Sequence, residues 1–265
     1  MKFKILICAF AIATFSPVRI VSNHSRNGYF VVWNVGQGQW ATVAKGETCT
    51  HFDIGGERMS GSKVKKLCGD KRNRLFISHW DWDHIAFAGR ARKILRDSCL
   101  ALPPAGGSSP RKMKLLSSYP PCPATPDSNI SGTRVLFRAK DKRLGSNESS
   151  NVVLVENQIL VPGDSPASQE KVWDESNGIR RTKWLLLGHH GSRTSTSEEL
   201  LNEIPNLKIA IASARFKKYG HPHVEVTERL RRHNVPVLKT EDWGNIWFEL
   251  PEPESIRKIA EPVRS

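Results

Sequence analysis

The stretch SHWDWDH at residues 78–84 constrains the fold more than any other part of this chain. Four side chains that can bind a metal ion fall within six residues, directly after the strand-like run RLFIS and directly before a segment with helical spacing. Alternation in an extended loop places His79, Asp81 and Asp83 on one side, and the first turn of a helix then brings His84 beside Asp83. Such clustering suits two metal ions about 3.5–4 Å apart, each with its own ligands. A solvated polar turn is the alternative, but a chance match is rare, so the stretch predicts the metal-binding edge of a sheet.

Other candidate metal ligands also follow strand-like runs of the sequence. Taken singly, each is more often structural, since an Asp after Gly can cap a turn and a lone His is commonly a hydrogen-bonded polar residue. Their recurrence at the same kind of position favours a sheet whose loops converge on one edge and form a shared site. These residues are Asp53, Asp164, His189, His190, His221 and His223.

The pattern of hydrophobic residues predicts many short strands and few helices. Strands are expected at 29–35, 39–44, 49–53, 74–78, 134–140, 152–156, 158–161, 184–187, 208–212, 235–239 and 246–250, and helices at 85–95, 172–180 and 224–233. The Pro-, Gly- and Ser-rich segment 101–133 is expected to be a long loop that carries the basic run 111–114. Strands dominate the start of each half, while strand–helix–strand units recur later and no repeat is present. This pattern predicts one α/β (α+β) domain, a sandwich of two sheets with helices outside.

The chain begins with a short basic region and the apolar run ILICAFAIATF, which is too short for a confident membrane span and is typical of a secretory signal. We therefore expect a signal peptide, or a retained N-terminal anchor, at residues 1–22. A hydrolase domain is expected at 23–250 and a charged C-terminal tail at 251–265. Export predicts a periplasmic or extracellular location.

Cysteine usage agrees with export. Four cysteines follow the N-terminal segment and allow three pairings. Pairing of sequence neighbours, Cys49 with Cys68 and Cys99 with Cys122, would close short loops worth about 3 kcal/mol each. Zinc binding by these residues is disfavoured because no CxxC-like spacing occurs, and in a cytosolic chain they would be ordinary thiols.

The formal net charge of +14, from 40 Lys and Arg against 26 Asp and Glu, favours a polyanionic partner. Nucleic acid, acidic lipid and phosphorylated substrates are the classes that such a charge attracts. The alternative is a basic surface that serves only solubility.

Seven motifs together carry a family resemblance over residues 29–250. In chain order they are WNVGQGQWATV, HFDIGG, ISHWDWDHIAFAG, NESSNVVL, LVPGD, LLLGHHGSRTSTS and ARFKKYGHPHVEVTERLRRHNVPVLKTEDWGNIWFE. With these motifs the chain resembles the metallo-β-lactamase superfamily, specifically the C-terminal domain of the ComEC family of DNA-uptake (competence) proteins. The resemblance implies a metallo-β-lactamase-like four-layered αββα sandwich with a two-metal site at one edge.

The resemblance also implies roles for individual residues. The metal ligands would be His79 and Asp81 for the first ion, Asp83, His84 and His190 for the second, and Asp164 as the bridge. His190 is preferred to His189 because Gly191 frees the backbone beside it, while Asp53 and His189 would support the ligands from behind. His221 would lie near the substrate phosphate or its leaving group.

The chain departs from the superfamily pattern at the first ion. Asp81 stands where the superfamily usually has a second histidine, and residues 85–163 contain no histidine. An oxygen-rich first site favours harder ions such as Mn²⁺ or Mg²⁺ over zinc. For the centre as a whole we expect one or two divalent ions, Mn²⁺ or Zn²⁺, with Mg²⁺ as a further candidate. The large membrane channel part of the family is not present in this sequence, so a role in DNA uptake does not transfer automatically.

These observations predict a metal-dependent phosphodiesterase, an exported DNase that uses a metal-activated water. Asp81 or Asp83 would take the proton of the water, and His221 or His223 would protonate the leaving oxygen. DNA would be bound through its phosphates, independently of sequence; no stable protein partner is expected, and the membrane would be contacted only through an uncleaved N-terminus. The expected substrate-binding residues are Ser192, Arg193, Thr194, Ser195, Arg215, Lys217, Lys218 and His223.

Two other functions stay open at this point. One is a hydrolase of the same fold that acts on a small phosphodiester, a lipid headgroup or a lactam. The lactam is disfavoured by the charge and by Asp81. The other is a DNA-binding module that has lost catalysis, which the missing histidine of the first metal keeps open.

Overall fold

A computed structural model describes residues 28–123, 132–141, 143–173 and 178–250 of the chain. The described residues form two six-stranded mixed sheets. In spatial order the first sheet is β12 (Ile246–Leu250), β1 (Gly28–Val32), β2 (Ala41–Lys45), β3 (Thr48–Phe52), β4 (Arg72–Phe76) and β5 (Asp97–Leu102). The second is β11 (Val237–Lys239), β10 (Ile209–Ala212), β9 (Trp184–Leu186), β8 (Ile159–Val161), β7 (Val152–Val155) and β6 (Thr133–Phe137).

Each sheet has an antiparallel part and a parallel part. In the first sheet β12, β1, β2 and β3 are antiparallel neighbours, whereas β3, β4 and β5 run parallel. In the second sheet β6, β7 and β8 are antiparallel neighbours and β8, β9, β10 and β11 run parallel. Parallel strands present their carboxyl ends at one edge, which is where α/β proteins usually place ligands.

Nine short α-helices occur among the described residues. They are α1 (Gly61–Cys68), α2 (Trp82–Ile85), α3 (Ala88–Ile94), α4 (Pro110–Leu116), α5 (Ala167–Trp173), α6 (Glu198–Glu203), α7 (Phe216–Tyr219), α8 (Val224–Arg232) and α9 (Thr240–Trp243).

Three apolar layers hold the sandwich together. Phe30 of β1 and Val153 of β7 belong to the core between the sheets. Val31, the next residue of β1, packs with α1 and α3 on the outer face, because successive side chains of a strand point to opposite faces. Leu185 of β9 packs with α6 and α8 on the outer face of the other sheet. The order of layers is therefore helix, sheet, sheet, helix, and the predicted four-layered αββα sandwich is confirmed.

Of the three pairings that the sequence left open, the structure has the one between sequence neighbours. Cys49 of β3 is bonded to Cys68 of α1 with the Cα atoms 5.9 Å apart. Cys99 of β5 is bonded to Cys122, which follows α4, with the Cα atoms 4.8 Å apart. The second bond ties the chain leaving α4 to the edge of the first sheet.

Two predictions of local structure were wrong. The segment 101–133 is not all loop, because β5 extends to Leu102 and the basic run 111–114 lies on α4. Pro110 occupies the start of that helix, where a residue without an N–H is tolerated. The predicted helix at 172–180 is also wrong, since α5 ends at Trp173 and a 3₁₀ turn covers Ile179–Arg181.

Sequence reading also missed helices with recognisable signals. The Lys-rich segment after Gly55-Gly56 forms α1, because Val64 and Cys68 recur four residues apart and face the sheet. Ser197 caps α6 by accepting a hydrogen bond from the Leu200 N–H.

A buried polar network crosses the first sheet. The Trp33 indole donates to Thr42 Oγ1 at 2.8 Å, Thr42 Oγ1 lies 2.9 Å from His51 Nδ1, and His51 Nε2 lies 2.9 Å from Asn73 Oδ1. Burial lowers the pKa of His51 to about 4, although the hydrogen bond to Asn73 opposes the shift. His51 is therefore neutral at physiological pH, with its proton on Nε2.

The predicted signal peptide or anchor at 1–22 and the predicted tail at 251–265 lie outside the described residues. Among the residues that are described, no helix has the length and apolar character needed to cross a bilayer.

Candidate metal centre

The candidate ligands converge at one edge of the sandwich because they follow parallel strands. Asp53 directly follows β3, and the stretch 78–84 follows β4. Asp164 follows β8, and the pair His189–His190 follows β9. Residues far apart along the chain thus meet where the strands of both sheets end.

Five side chains of this edge form two overlapping groups. The ligand atoms of His79, His84 and Asp164 lie within 4.8 Å of one another, as do those of Asp83, His84 and His190. His84 Nε2 lies 3.1 Å from Asp164 Oδ1 and 3.3 Å from His190 Nε2. His190 Nε2 is in turn 3.2 Å from Asp83 Oδ2. His84 therefore belongs to both groups.

Asp53 lies behind this centre and orients two of its imidazoles. His84 Nδ1 and Ser78 Oγ each lie 2.7 Å from Asp53 Oδ2. Since the hydroxyl proton of Ser78 goes to the carboxylate, Ser78 Oγ accepts from His79 Nδ1 at 2.9 Å. In their neutral form both imidazoles thus carry their proton on Nδ1 and turn an unprotonated Nε2 towards the centre. Gln39 Nε2 donates to the same carboxylate at 2.7 Å.

The third imidazole is oriented in the same way by the backbone. His190 Nδ1 donates to the Ser213 carbonyl oxygen at 3.1 Å, which leaves its Nε2 unprotonated. When both rings are neutral, His84 and His190 therefore face each other with two acceptor nitrogens, 3.3 Å apart. His79 Nε2 and Asp164 Oδ1 are buried and lack a hydrogen-bond partner among the described residues. Buried acceptors that converge without donors fit a divalent cation, and imidazole with carboxylate is a donor set that such cations accept.

The charges of the centre also favour a bound cation. Burial alone would raise the pKa of Asp164, but the charges of His84, His190 and His79 hold it well below its usual value. Burial would likewise raise the pKa of Asp83, but its contact with His190 Nε2 and the charge of His84 lower it strongly. Burial would lower the pKa of His84, yet the charges of Asp164 and Asp53 raise it well above its usual value. A proton and a metal ion thus compete for the same nitrogen.

Close backbone approaches shape the loops that carry the ligands. Gly163 has φ +58, and a Cβ there would lie 2.5 Å from Ser78 Cβ. Gly191 has φ +87, and a Cβ there would lie 2.5 Å from Pro222 Cβ. His189 and His190 both have left-handed φ values, of 48° and 57°, which are costly for non-glycine residues and cluster at functional sites.

Two predicted ligand or supporting residues lie beside the centre and outside both groups. Asp81 Oδ1 accepts from Ser146 Oγ at 2.8 Å and lies 3.9 Å from Lys112 Nζ, while its Oδ2 is 3.5 Å from His79 Nε2. This contact with His79 is the largest cause that lowers the pKa of Asp81. His189 Nε2 is 3.7 Å from Asp164 Oδ2, and its side chain is partly exposed.

His221 lies beside the centre, and Gln37 holds its ring. Gln37 Oε1 accepts from the Arg215 N–H at 3.1 Å, so the amide nitrogen of Gln37 faces His221 Nδ1 at 3.0 Å and donates to it. The proton of His221 must then be on Nε2. Burial, followed by the charges of His223 and His190, lowers the pKa of His221 to about 4. His221 is therefore a neutral N–H donor at physiological pH.

The predicted substrate-binding residues fall into different settings. Arg215 Nη1 and Lys218 Nζ pair with Glu57 at 2.8 and 3.0 Å, so much of their charge is neutralised. Burial would raise the pKa of Glu57, but the hydrogen bonds from Arg215, the Gln37 N–H and Lys218 lower it to about 2. Lys217 is exposed on α7.

The other predicted substrate-binding residues lie in or near the loop 188–197. Ser192 and Thr194 hydroxyls lie 3.0 Å apart, and the Arg193 N–H donates to His223 Nδ1 at 2.9 Å. The expectation that Ser195 binds substrate was wrong, because its side chain is buried and its hydroxyl donates to the Ser165 carbonyl.

A cavity of about 430 Å³ opens over the centre. It is lined by Gln37, Gly56, Glu57, Trp82, Asp83, Ala86, His189, His190, Tyr219 and His221. Sequence reading missed Gln37, Gln39, Ser78 and Glu57. The two glutamines of the motif VGQGQ, in the turn between two strands, were the available signal.

Three known proteins are similar to this chain in sequence, although no family model matches it. The chain is 31% identical over 227 residues to Recombination protein 2 of Haemophilus influenzae, covering 80% of this chain and 28% of that protein. It is 26% identical over 193 residues to ComE operon protein 3 of Bacillus subtilis (66% and 24%) and 27% identical over 230 residues to Competence protein ComA of Neisseria gonorrhoeae (83% and 32%). The chain thus spans about a quarter to a third of these relatives.

A solved structure supports the fold independently. The metallo-beta-lactamase fold protein YhfI from Bacillus subtilis aligns with a TM-score of 0.53 at 11% identity, covering 84% of this chain and 99% of YhfI. Together with the two sheets and the shared edge of His and Asp residues, these findings show that the chain has the metallo-β-lactamase fold and that its sequence resembles the ComEC-type competence proteins.

Proposed function

We propose that this chain is a metal-dependent phosphodiesterase that hydrolyses DNA. The observation that carries the proposal is the set of imidazole and carboxylate atoms that converge, without internal donors, beside an open cavity of about 430 Å³. Such a centre fits metal-assisted hydrolysis better than it fits a purely structural role, because Asp83 of the centre and His189 beside it are partly exposed to the cavity.

The ligands of one or two divalent ions would be His79, Asp83, His84, Asp164 and His190. Mn²⁺ or Zn²⁺, with Mg²⁺ as a further candidate, would lower the pKa of a coordinated water and neutralise charge on the phosphate. Asp53 would keep His84 and His79 in the tautomer that ligation needs.

The protein groups around the centre would handle protons and the leaving group. Asp81 and Asp83 are ionised, so each is a candidate acceptor for the proton of the attacking water. His221 would donate a hydrogen bond from Nε2 to the phosphate or to the leaving oxygen. Its low pKa supports this role of a neutral donor in preference to that of an imidazolium acid.

DNA is the polyanion that we choose as substrate. The net charge of +14 favours polyanions in general, and the relatives are named for recombination and competence. Binding through phosphates would be independent of sequence and would weaken with salt. Arg193, Thr194, Lys217 and His223 are exposed or partly exposed groups near the centre that would contribute. Ser192 is buried, and its hydroxyl would contribute through the Thr194 hydroxyl, 3.0 Å away.

We further propose that the protein is exported to the periplasm or beyond the cell. Two disulfides form within the described residues, and disulfides persist mainly in oxidising compartments.

Metal-dependent cleavage of DNA tests the proposal. Purified protein is incubated with Mn²⁺ and single- or double-stranded DNA, and in parallel with bis-p-nitrophenyl phosphate and nitrocefin. We expect DNA cleavage that chelation abolishes and that Asp83→Asn lowers at least 100-fold, while the control Asp97→Asn, at an exposed position, retains it. Hydrolysis of the small diester with intact DNA would instead indicate a small-phosphodiester hydrolase. DNA binding without cleavage of any substrate would indicate a binding module.

A further inference from the structure

We infer that Trp82 and helix α4 form a subsite for an unpaired nucleotide that flanks the phosphate at the metal centre. This inference rests on the proposed function, because it names a feature of the substrate at the same site. It concerns Trp82, a residue that the metal chemistry does not use.

Trp82 stands between two cavities. Asp83, the residue after it, and Trp82 itself line the cavity over the metal centre. Asp81, the residue before it, lines a second cavity of about 500 Å³. The Trp82 side chain is 41% exposed, whereas Trp33 and Trp40 of the same domain are fully buried. An exposed indole at the rim of a reaction site is a surface on which a planar ligand can lie.

The second cavity has the chemistry of a phosphate-binding groove. Its wall contains two lysines, Lys112 and Lys140, and its one acidic residue besides Asp81 is Asp141, which is paired with Arg143 at 2.8 Å. The small residues Gly106, Gly107 and Ser108 also line it.

Two cations lie over the indole ring. Arg111 Cζ lies 5.1 Å and Lys112 Nζ 5.5 Å from the Trp82 ring centroid. Both come from α4, whose sequence PRKMKLL contains three basic residues and no acidic one. Within the described part of the chain, Arg111 makes no ion pair, and Lys112 reaches only Asp81, at 3.9 Å.

The basic residues that pair with Glu57, on the wall of the cavity over the metal centre, are less available to a phosphate. Glu57 holds Arg215 at 2.8 Å and Lys218 at 3.0 Å. A strand with one phosphate at the metal centre would therefore find uncompensated positive charge on the Trp82 side. A nucleotide is the ligand that uses an aromatic face and adjacent cations together, with its base on the indole and its phosphate on the cations.

The base at this subsite must be unpaired. Every base has a π-face, so stacking on an indole tolerates any sequence, but a base within a duplex is already stacked between its neighbours. The subsite therefore favours single strands, or the unpaired ends of duplexes, over continuous duplex.

A thermodynamic cycle tests the inference. The probes are a short phosphorothioate oligothymidylate and an abasic phosphorothioate chain of the same length and charge, labelled for fluorescence anisotropy, at one salt concentration with Mn²⁺. Wild type should bind the thymidylate about tenfold more tightly than the abasic chain, and Trp82→Ala should reduce this ratio to near one. Trp82→Phe should restore most of it. Trp243→Ala removes an indole that is 69% exposed elsewhere and should keep the wild-type ratio.

The same ratio in wild type and Trp82→Ala would overturn the inference. Because the probes resist cleavage, this result is independent of hydrolysis. If wild type cleaves DNA but Trp82→Ala keeps the wild-type affinity ratio, the proposed function stands and the subsite is refuted. If Trp82→Ala abolishes the affinity ratio but wild type cleaves no phosphodiester, the subsite is supported and the proposed function is refuted.

Discussion

Replacing Asp53 by Asn should weaken metal binding without changing any ligand. The Asp53 carboxylate accepts at 2.7 Å from His84 Nδ1, Ser78 Oγ, the Ser78 N–H and Gln39 Nε2. Asn has the same shape and tolerates the left-handed φ of 55° at this position. In either orientation its amide group faces at least one of these donors, so a buried donor loses its acceptor, at a cost of about 1–3 kcal/mol in stability.

The effect on the metal follows from the lost orientation of His84. Groups that support a ligand in this way typically contribute 10–100-fold in affinity, which corresponds to about 1.4–2.7 kcal/mol. Mn²⁺ affinity is measured by competition with a fluorescent chelator, and folding by circular dichroism. Asp97→Asn, exposed at the start of β5, is the matched control. A folded Asp53→Asn protein with wild-type Mn²⁺ affinity would refute the assignment of Asp53.

Three further predictions concern stability and positioning. His51 has a pKa of about 4 in the folded protein against about 6.5 when unfolded, so the folded state binds fewer protons between these values and the stability decreases as the pH is lowered. Urea unfolding at pH 7 and pH 5 should show that wild type loses about 2 kcal/mol relative to His51→Gln on going to pH 5, and a constant difference would contradict this. Replacing both Cys99 and Cys122 by Ser should cost about 3 kcal/mol in the free energy of unfolding, and an unchanged urea midpoint would contradict it. Gln37→Leu should lower kcat on a small phosphodiester roughly tenfold with a smaller change in KM, and ¹⁵N NMR should show mixed tautomers of His221; a pure Nε2–H tautomer in the variant would refute the role of Gln37.

The strands and the shared edge were predictable because local pattern determines them. Strand periodicity predicted the strand before His79. The positions of Asp53 and Asp164 after strand-like runs predicted that both lie at the sheet edge where parallel strands end. Helix α4 was hidden because Pro110 and the glycines before it were interpreted as loop signals, although Pro is also common at a helix start.

The partners of the site residues could not be predicted from the sequence. Gln37 and His221 are 184 positions apart, and Glu57 and Arg215 are 158 apart. Such pairs depend on how the two sheets pack, so the neutralisation of Arg215 was not visible in a sequence where it appeared as free positive charge. The disulfide pairing likewise depends on which cysteines lie close together in the fold. Their spacing along the sequence left three pairings open.

Metal content and DNA cleavage should be measured on the same preparations of wild type and Asp164→Asn. Asp164 belongs to the group with His79 and His84, and it also contacts His190 of the second group, so its loss should weaken metal binding in both. We expect elemental analysis to find a divalent metal in wild type and little in the variant, and cleavage to disappear with the metal. A variant that holds no metal yet cleaves DNA at the wild-type rate would refute metal-dependent hydrolysis at this centre.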